Sequence, residues 1–409
     1  MSDIDDGNRL TSPDDAIGDS TLLKMGVGQS DELDGALAAE EILKQCAVAL
    51  GGETPQAGLL LASHDLDFEG FLSAVKHAYP GIDLIGCTTI APMSSVAEYV
   101  EGSTSLTLFS SDLLDFTVGL GTDVTAGAGS ATRQAVEEAT RKTDKSPALL
   151  IATPTIEQFD PTAITIEIGE ILGSGVPVIG GGAAPDFPMA DPWVGGRQFY
   201  GDQVLTNAVP VLLVSGPLKV SVGVAHGWSP VGKTAVVTRS DDAKVYEIDG
   251  EPILEFYHRY LGIGSEPAYA NPLAILDDDT GQYYLRAPLE YNESDGSATF
   301  FGSVPQGATV QLAMATTEEI LRGTEASLAD AMAGFPGEAA PEGALIASCA
   351  VRNFLLGTRA SGEIERIRAG LGQDVTVSGF YAFGEIAPLD SDSTPRFHNE
   401  TCVTVLIGT

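Results

Sequence analysis

Ala344-Leu345-Ile346-Ala347-Ser348-Cys349-Ala350-Val351-Arg352, followed by Val375-Thr376-Val377-Ser378-Gly379 and Phe380-Tyr381-Ala382-Phe383-Gly384-Glu385-Ile386-Ala387-Pro388, is the stretch that decides the fold. Two short apolar runs, the second β-branched, read as strands, and residues 360 to 369 between them read as a crossover helix. A crossover of that length suits parallel strands. Cys349, Arg352 and Glu385 are then carried on loops leaving neighbouring strand ends, where α/β sheets bind their ligands.

Working outward, the same construction recurs twice. Gly58 to Ser63, a helix over 68 to 78 and Ile82 to Gly86 form one copy, ending in Cys87-Thr88-Thr89. Ala148 to Ala152, a helix opened by Asp160-Pro161 and Val176 to Ile179 form another, running into Gly180-Gly181-Gly182. Leu22 to Gly28 reads as the first strand, with Ser30 capping a helix striped by Ala39, Leu43, Cys46 and Leu50. Hairpin patterns separate the copies: strands are expected over 103–109, 114–120, 197–200, 204–214 and 219–225. A longer run of them fills 234 to 313, with Asp295-Gly296 as one turn, and residues 401–407 form a final strand. Thr316-Thr317-Glu318-Glu319 is a capping box opening a helix through Ile320, Leu321, Thr324, Leu328 and Met332. The expected fold is α/β: mixed parallel and antiparallel sheets with helices packed outside, in two tightly associated domains. They are residues 21–229 and 230–409, preceded by a disordered acidic tail over 1–20.

Charge narrows the partners. The chain has 409 residues, with 57 acidic against 21 basic and a net charge of −36. A field of that sign repels nucleic acid and anionic membranes. No apolar run reaches the roughly 18 residues of a membrane span, and the acidic N-terminus does not read as a secretory signal, so the expected compartment is the cytoplasm. A salt-rich cytoplasm fits the charge, because counterions screen self-repulsion; an ordinary acidic protein is the alternative. Cys46, Cys87, Cys349 and Cys402 form no Cys-x-x-Cys pair and the histidines no ligand spacing, so no metal and no cofactor is expected.

The candidate ligand-binding residues gather at strand ends. Cys349 is either a nucleophile, with Glu385 or His398 as base, or a small buried thiol lining a pocket. Arg352 and Glu385 either present both charges to a zwitterion such as an amino acid or pair with each other. Thr88 and Thr89, beside Cys87, either bind a ligand carboxylate or finish a turn. The glycines around Gly181 allow close backbone approach to a ligand or to another strand, and no lysine stands where a phosphate loop needs one. His226 and Asn399 each adjoin a strand end and offer polar contacts.

At these residues the chain resembles the FIST family, sensory proteins with an N-terminal and a C-terminal FIST domain. The C-terminal resemblance rests on Ser348 to Arg352, Gly379 to Ile386 and Asn399-Glu400-Thr401, joined by His226 to Pro230 and Tyr246 to Gly250. The N-terminal one rests on Ile85 to Thr89 and Val178 to Ala184. Where the family often continues with Ala-Gly-Glu, this chain has Ile90-Ala91-Pro92, so no carboxylate carries over there. The resemblance implies a signal-input module for a small ligand such as an amino acid and brings no established catalytic residues; a stand-alone sensor would then signal through a separate partner protein. The alternatives are a thiol-dependent hydrolase or transferase using Cys349, and a scaffold that recruits proteins.

Overall fold

The computed structural model describes residues 22–156, 161–185, 195–264, 268–276, 282–389 and 394–409. The expected tail over 1–20 and the helix-opening Asp160 lie outside them. Three copies of one sheet plan account for most of the chain. The first copy runs β1 (Lys24–Ser30), α1 (Gly35–Leu50), β2 (Ala57–Ala62), α2 (Phe68–Ala78), β3 (Asp83–Thr88), the hairpin β4 (Pro92–Ser94) and β5 (Glu98–Tyr99), and β6 (Thr104–Ser110). The second runs β7 (Asp115–Thr122), α3 (Ala128–Thr140), β8 (Pro147–Ala152), α4 (Thr162–Leu172), β9 (Val178–Gly181), the hairpin β10 (Gln198–Tyr200) and β11 (Gln203–Leu205), and β12 (Ala208–Ser215).

The third begins with β13 (Lys219–Ala225) and is then interrupted. The insertion comprises β14 (Ser229–Asp241), β15 (Lys244–Ile248), β16 (Glu251–Pro252), α5 (Ile253–Leu261), β17 (Leu273–Leu276), β18 (Tyr283–Arg286), β19 (Pro288–Asn292), β20 (Ser297–Phe300) and β21 (Thr309–Met314). The copy resumes with α6 (Thr317–Gly334), β22 (Gly343–Cys349), α7 (Ala350–Leu356), α8 (Ser361–Leu371), β23 (Thr376–Ala382), the hairpin β24 (Glu385–Pro388) and β25 (Pro395–His398), and β26 (Cys402–Gly408). The expected partition at 229/230 falls where β13 hands over to the insertion.

Each copy pairs its first strand with its last, the last with its second, and the second in parallel with its third. Its hairpin goes elsewhere. The β4–β5 hairpin joins β23, β24–β25 joins β9, and β10–β11 joins β3, so the copies exchange hairpins around a ring. Strands from both expected halves therefore share sheets.

Helices cover the outer faces and apolar residues fill the inner ones. Leu59, Leu61 and Cys87 of one sheet, Leu149, Ile151 and Leu212 of the second, and Leu345, Val403 and Val405 of the third form one central core. The outer faces bury the helix stripes separately: Ile42 and Leu50 on the first, Ala135 and Ile168 on the second, Leu328 and Ile364 on the third. Glycine makes the close sheet geometry possible at one repeated position. A Cβ on Gly86, Gly180 or Gly379 would lie 1.9, 2.2 or 2.7 Å from the carbonyl oxygen of the facing second-strand residue.

Several local expectations shift. The α1 cap is Asp34, which accepts from the Ala36 and Leu37 amides, while Ser30 ends β1 and bonds Glu41 at 2.6 Å. The strand expected over 204–214 breaks at Asn207, whose φ of 59° ends β11 before β12. The Thr316 capping box is present, and of the expected α6 stripe only Met332 is exposed.

Candidate functional site

A cavity of about 740 Å³ opens between the third copy and the insertion. The end of β13 supplies His226, Gly227 and Trp228, β18 supplies Tyr283 and Tyr284, and the α6 face supplies Glu319, Arg322, Ala326 and Asp330; His398 and Thr401 also line it. The α6 residues recur at spacings of three and four, so one helix face points at the hollow. Gly227 has φ 102°, and a Cβ there would lie 2.2 Å from the Glu319 carbonyl oxygen, so the turn against α6 requires glycine. His226 Nδ1 accepts from the Trp228 amide at 3.1 Å, and Tyr283 donates its hydroxyl to the Trp228 carbonyl at 2.9 Å. Burial pushes His226 down to about 4, helped by Arg352, and holds His398 at about 4, so both rings are neutral at neutral pH. Among the described residues Arg322 and Asp330 make no close salt bridge, and the Arg322 charge favours ionisation of the nearby Glu318 and Glu319 carboxyls.

Behind Thr401 lies a buried cluster of acids. Glu385, on β24 opposite Gly181, accepts from both the amide and the hydroxyl of Thr401, at 3.1 and 2.7 Å. Burial pushes Glu385 up to about 8, against the hydrogen bonds from Thr401 and the neighbouring Cys349 thiol. Glu400 is fully buried and well above the usual carboxylate range, through burial and then the Glu385 charge. Burial, Glu385 and Glu400 together hold Cys349 well above an ordinary thiol. Among the described residues, Glu385 Oε1 and both oxygens of Glu400 have no hydrogen-bond partner.

Arg352 is not paired with Glu385. Its guanidinium is wholly buried and bonds Glu363 at 2.6 Å, Thr324 at 2.8 Å, and the carbonyls of His226, Ile320 and Glu400 at 2.5, 2.9 and 3.2 Å. Every donor is engaged, so neither the zwitterion geometry nor the Glu385 pair is present. Asn399 is likewise occupied, accepting from the Ala287 amide at 3.1 Å and donating to the His398 carbonyl at 2.9 Å. Thr88 bonds the Ala184 carbonyl at 2.7 Å, and Thr89 bonds that of Tyr381 at 2.9 Å. A Cβ on Gly181 would lie 2.3 Å from the Ala382 Cβ, and Cys87 is wholly buried in the central core.

Of the expected residues, the structure brings His226 to the cavity and sets Cys349 and Glu385 behind it through Thr401. Neither Cys87 nor Cys349 lines that cavity. Thr89 lines a second one of about 470 Å³, with Ser63, His64, Tyr269 and Phe354. Sequence reasoning missed Glu363, Arg322 and Asp330, and passed over Glu400 and Thr401 although both stand in the Asn399-Glu400-Thr401 motif. Among the described residues no group of three His, Cys, Asp or Glu side chains could hold a metal ion.

Comparison with known proteins places the chain. An uncharacterized protein of Mycobacterium tuberculosis is 26% identical over 393 residues, 90% of this chain and 95% of the relative. An uncharacterized protein of Methanocaldococcus jannaschii is 36% identical over 139 residues, 32% of this chain and 26% of the relative. Among solved structures, the cyanuric acid hydrolase of A. caulinodans aligns over 94% of this chain and 98% of its own, with TM-score 0.35 and 8% identity. PurLQS from Thermotoga maritima aligns over 94% and 72%, with TM-score 0.23 and 9% identity. Likenesses that low transfer neither fold nor reaction. The FIST N domain matches residues 56–251 and the FIST C domain residues 254–388, and the chain belongs to the FIST family of sensory, ligand-binding domains.

Proposed function

We propose that the protein is a cytoplasmic sensor that binds an amino acid or related zwitterionic metabolite in the His226–Arg322–Thr401 cavity and signals through a separate protein. One observation carries the reading: Arg322 and Asp330, opposite in charge and in no close salt bridge among the described residues, stand on the α6 face that lines the hollow. They lie about 12 Å apart along the helix axis, and Glu319, whose carboxylate also closes the Thr316 capping box, stands one turn from Arg322. Arg322 would take the ligand carboxylate and the acidic side chains its ammonium group. The neutral His226 and the tyrosines supply hydrogen bonds and apolar contact. This replaces Arg352 and Glu385 as the charged pair.

The thiol-enzyme alternative is weaker, because Cys349 is protonated, wholly enclosed and flanked by two acids that oppose a thiolate. Thermal-shift titration with the proteinogenic amino acids tests the reading. At least one should raise the unfolding temperature saturably without being consumed, and Arg322→Ala should weaken that ligand roughly tenfold or more, about 1.4 kcal/mol. Binding that survives Arg322→Ala unchanged, or formation of product, would overturn it.

A further inference from the structure

The three copies present equivalent corners, and at three aligned positions of each, only the third copy carries ionisable side chains. Leu60, Ala152 and Ile346 stand opposite Gly86, Gly180 and Gly379 on the parallel neighbour and opposite Leu106, Val211 and Thr404 on the antiparallel one. Moving forward along the second strands from that anchor gives Ser63, Thr155 and Cys349. Moving back along the last strands gives Gly102, Asn207 and Glu400. The exchanged hairpins place Pro92, Gln198 and Glu385 just before the residues that face the three glycines.

Gly102, Asn207 and Glu400 share a left-handed backbone, with φ of 73°, 59° and 64°. Glycine and asparagine adopt it cheaply; glutamate does not. At the third corner the fold therefore accepts strain in order to bury a carboxyl whose two oxygens have no partner among the described residues. Backbone strain of this kind persists where the surrounding structure enforces it, and it clusters at functional sites. The groups facing the pair supply no cation to spare. From α7 comes Arg352, already neutralised by Glu363 of α8; from β13 and β25 come the uncharged His226 and His398; from β22 and β23 come Cys349 and the buried Tyr381. Two ionised carboxylates here would be uncompensated, and a buried acid in that position keeps its proton.

We propose that Cys349, Glu385 and Glu400 form a proton-holding centre whose carboxyls stay protonated at neutral pH, and that loss of the first proton on the alkaline side moves Thr401 and with it the cavity wall. Thr401 is the link, since it lines the cavity and gives both its amide and its hydroxyl to Glu385. The proposal holds whichever ligand the cavity takes.

Infrared spectroscopy of the wild-type protein at pH 7 should show a protonated-carboxyl stretching band that shrinks in Glu385→Gln and Glu400→Asn. The folded state holds protons that the unfolded carboxyls release near 4.5, so the unfolding temperature should fall as pH rises from there through about 8. Glu400→Asn, taking the residue of the second corner, should raise the unfolding temperature at pH 8.5 by about 2–4 °C. With Trp193→Phe removing the other indole, Trp228 fluorescence should change with a midpoint near 8 in the wild-type background and not in Glu385→Gln. Absence of the infrared band in the wild-type protein overturns the proposal without recourse to any variant. So does a Glu400→Asn protein less stable at every pH with an unchanged profile, or Trp228 emission that is flat through pH 8.

Discussion

Arg352 is engaged by Glu363, Thr324 and three carbonyls in a wholly buried setting, so its role is to tie α7, α8, α6 and β13 together. Replacing it with methionine leaves Glu363 as an unpaired buried charge, which costs about 3–5 kcal/mol. Urea denaturation should show that loss, and Arg352→Met combined with Glu363→Leu should recover much of it. If the single variant is as stable as the wild-type protein, the pair is not what holds these elements. The arginine was visible in the sequence as an unusual cation beside a strand end. Its partner was not, because Glu363 sits on a helix where nothing in the local pattern separates it from solvent-facing acids. Glu400 shows the opposite case: the residue was in view, but its backbone strain and its solitude exist only in three dimensions.

At the level of elements, the three strand–helix–strand units were legible because their signals are local. Apolar strands, a crossover helix and a closing glycine occur within each unit, as in β2–α2–β3 and β22–α8–β23. The helix α3 was missed, since its alanine and threonine content hides the buried stripe Ala131, Ala135, Ala139. The hairpin exchange could not be read at all. Met93 pairs with Gly379, and no periodicity near either residue names the other. The glycine at the strand contact is testable: Gly180→Val drives a side chain into the Ala152 carbonyl and should destabilise by roughly 1–3 kcal/mol or more. A chemical denaturation midpoint equal to that of the wild-type protein would show that the strands are not so closely apposed.

Over the whole molecule, a net charge of −36 sets self-repulsion against a core built from three sheets. Among the described residues the ion pairs are mostly exposed, such as Lys76 with Asp202 and Arg359 with Glu318, and give little compensation in dilute buffer. Counterions should therefore matter. Melting curves at about 0.1 M and at molar salt, where the Debye length falls from roughly 10 Å to 3 Å, should show an unfolding temperature higher in the concentrated solution. Indifference to salt would remove the salt-rich setting inferred from composition. The circular loan of hairpins has a consequence for how such a chain could arise and how it can be cut. A single copy carries an arm made for its neighbour and a vacancy made for the other neighbour's arm, so three separate short chains could close the same ring by threefold assembly. Severed at any copy boundary, the present chain would yield pieces that are each other's missing parts and poor candidates for life alone.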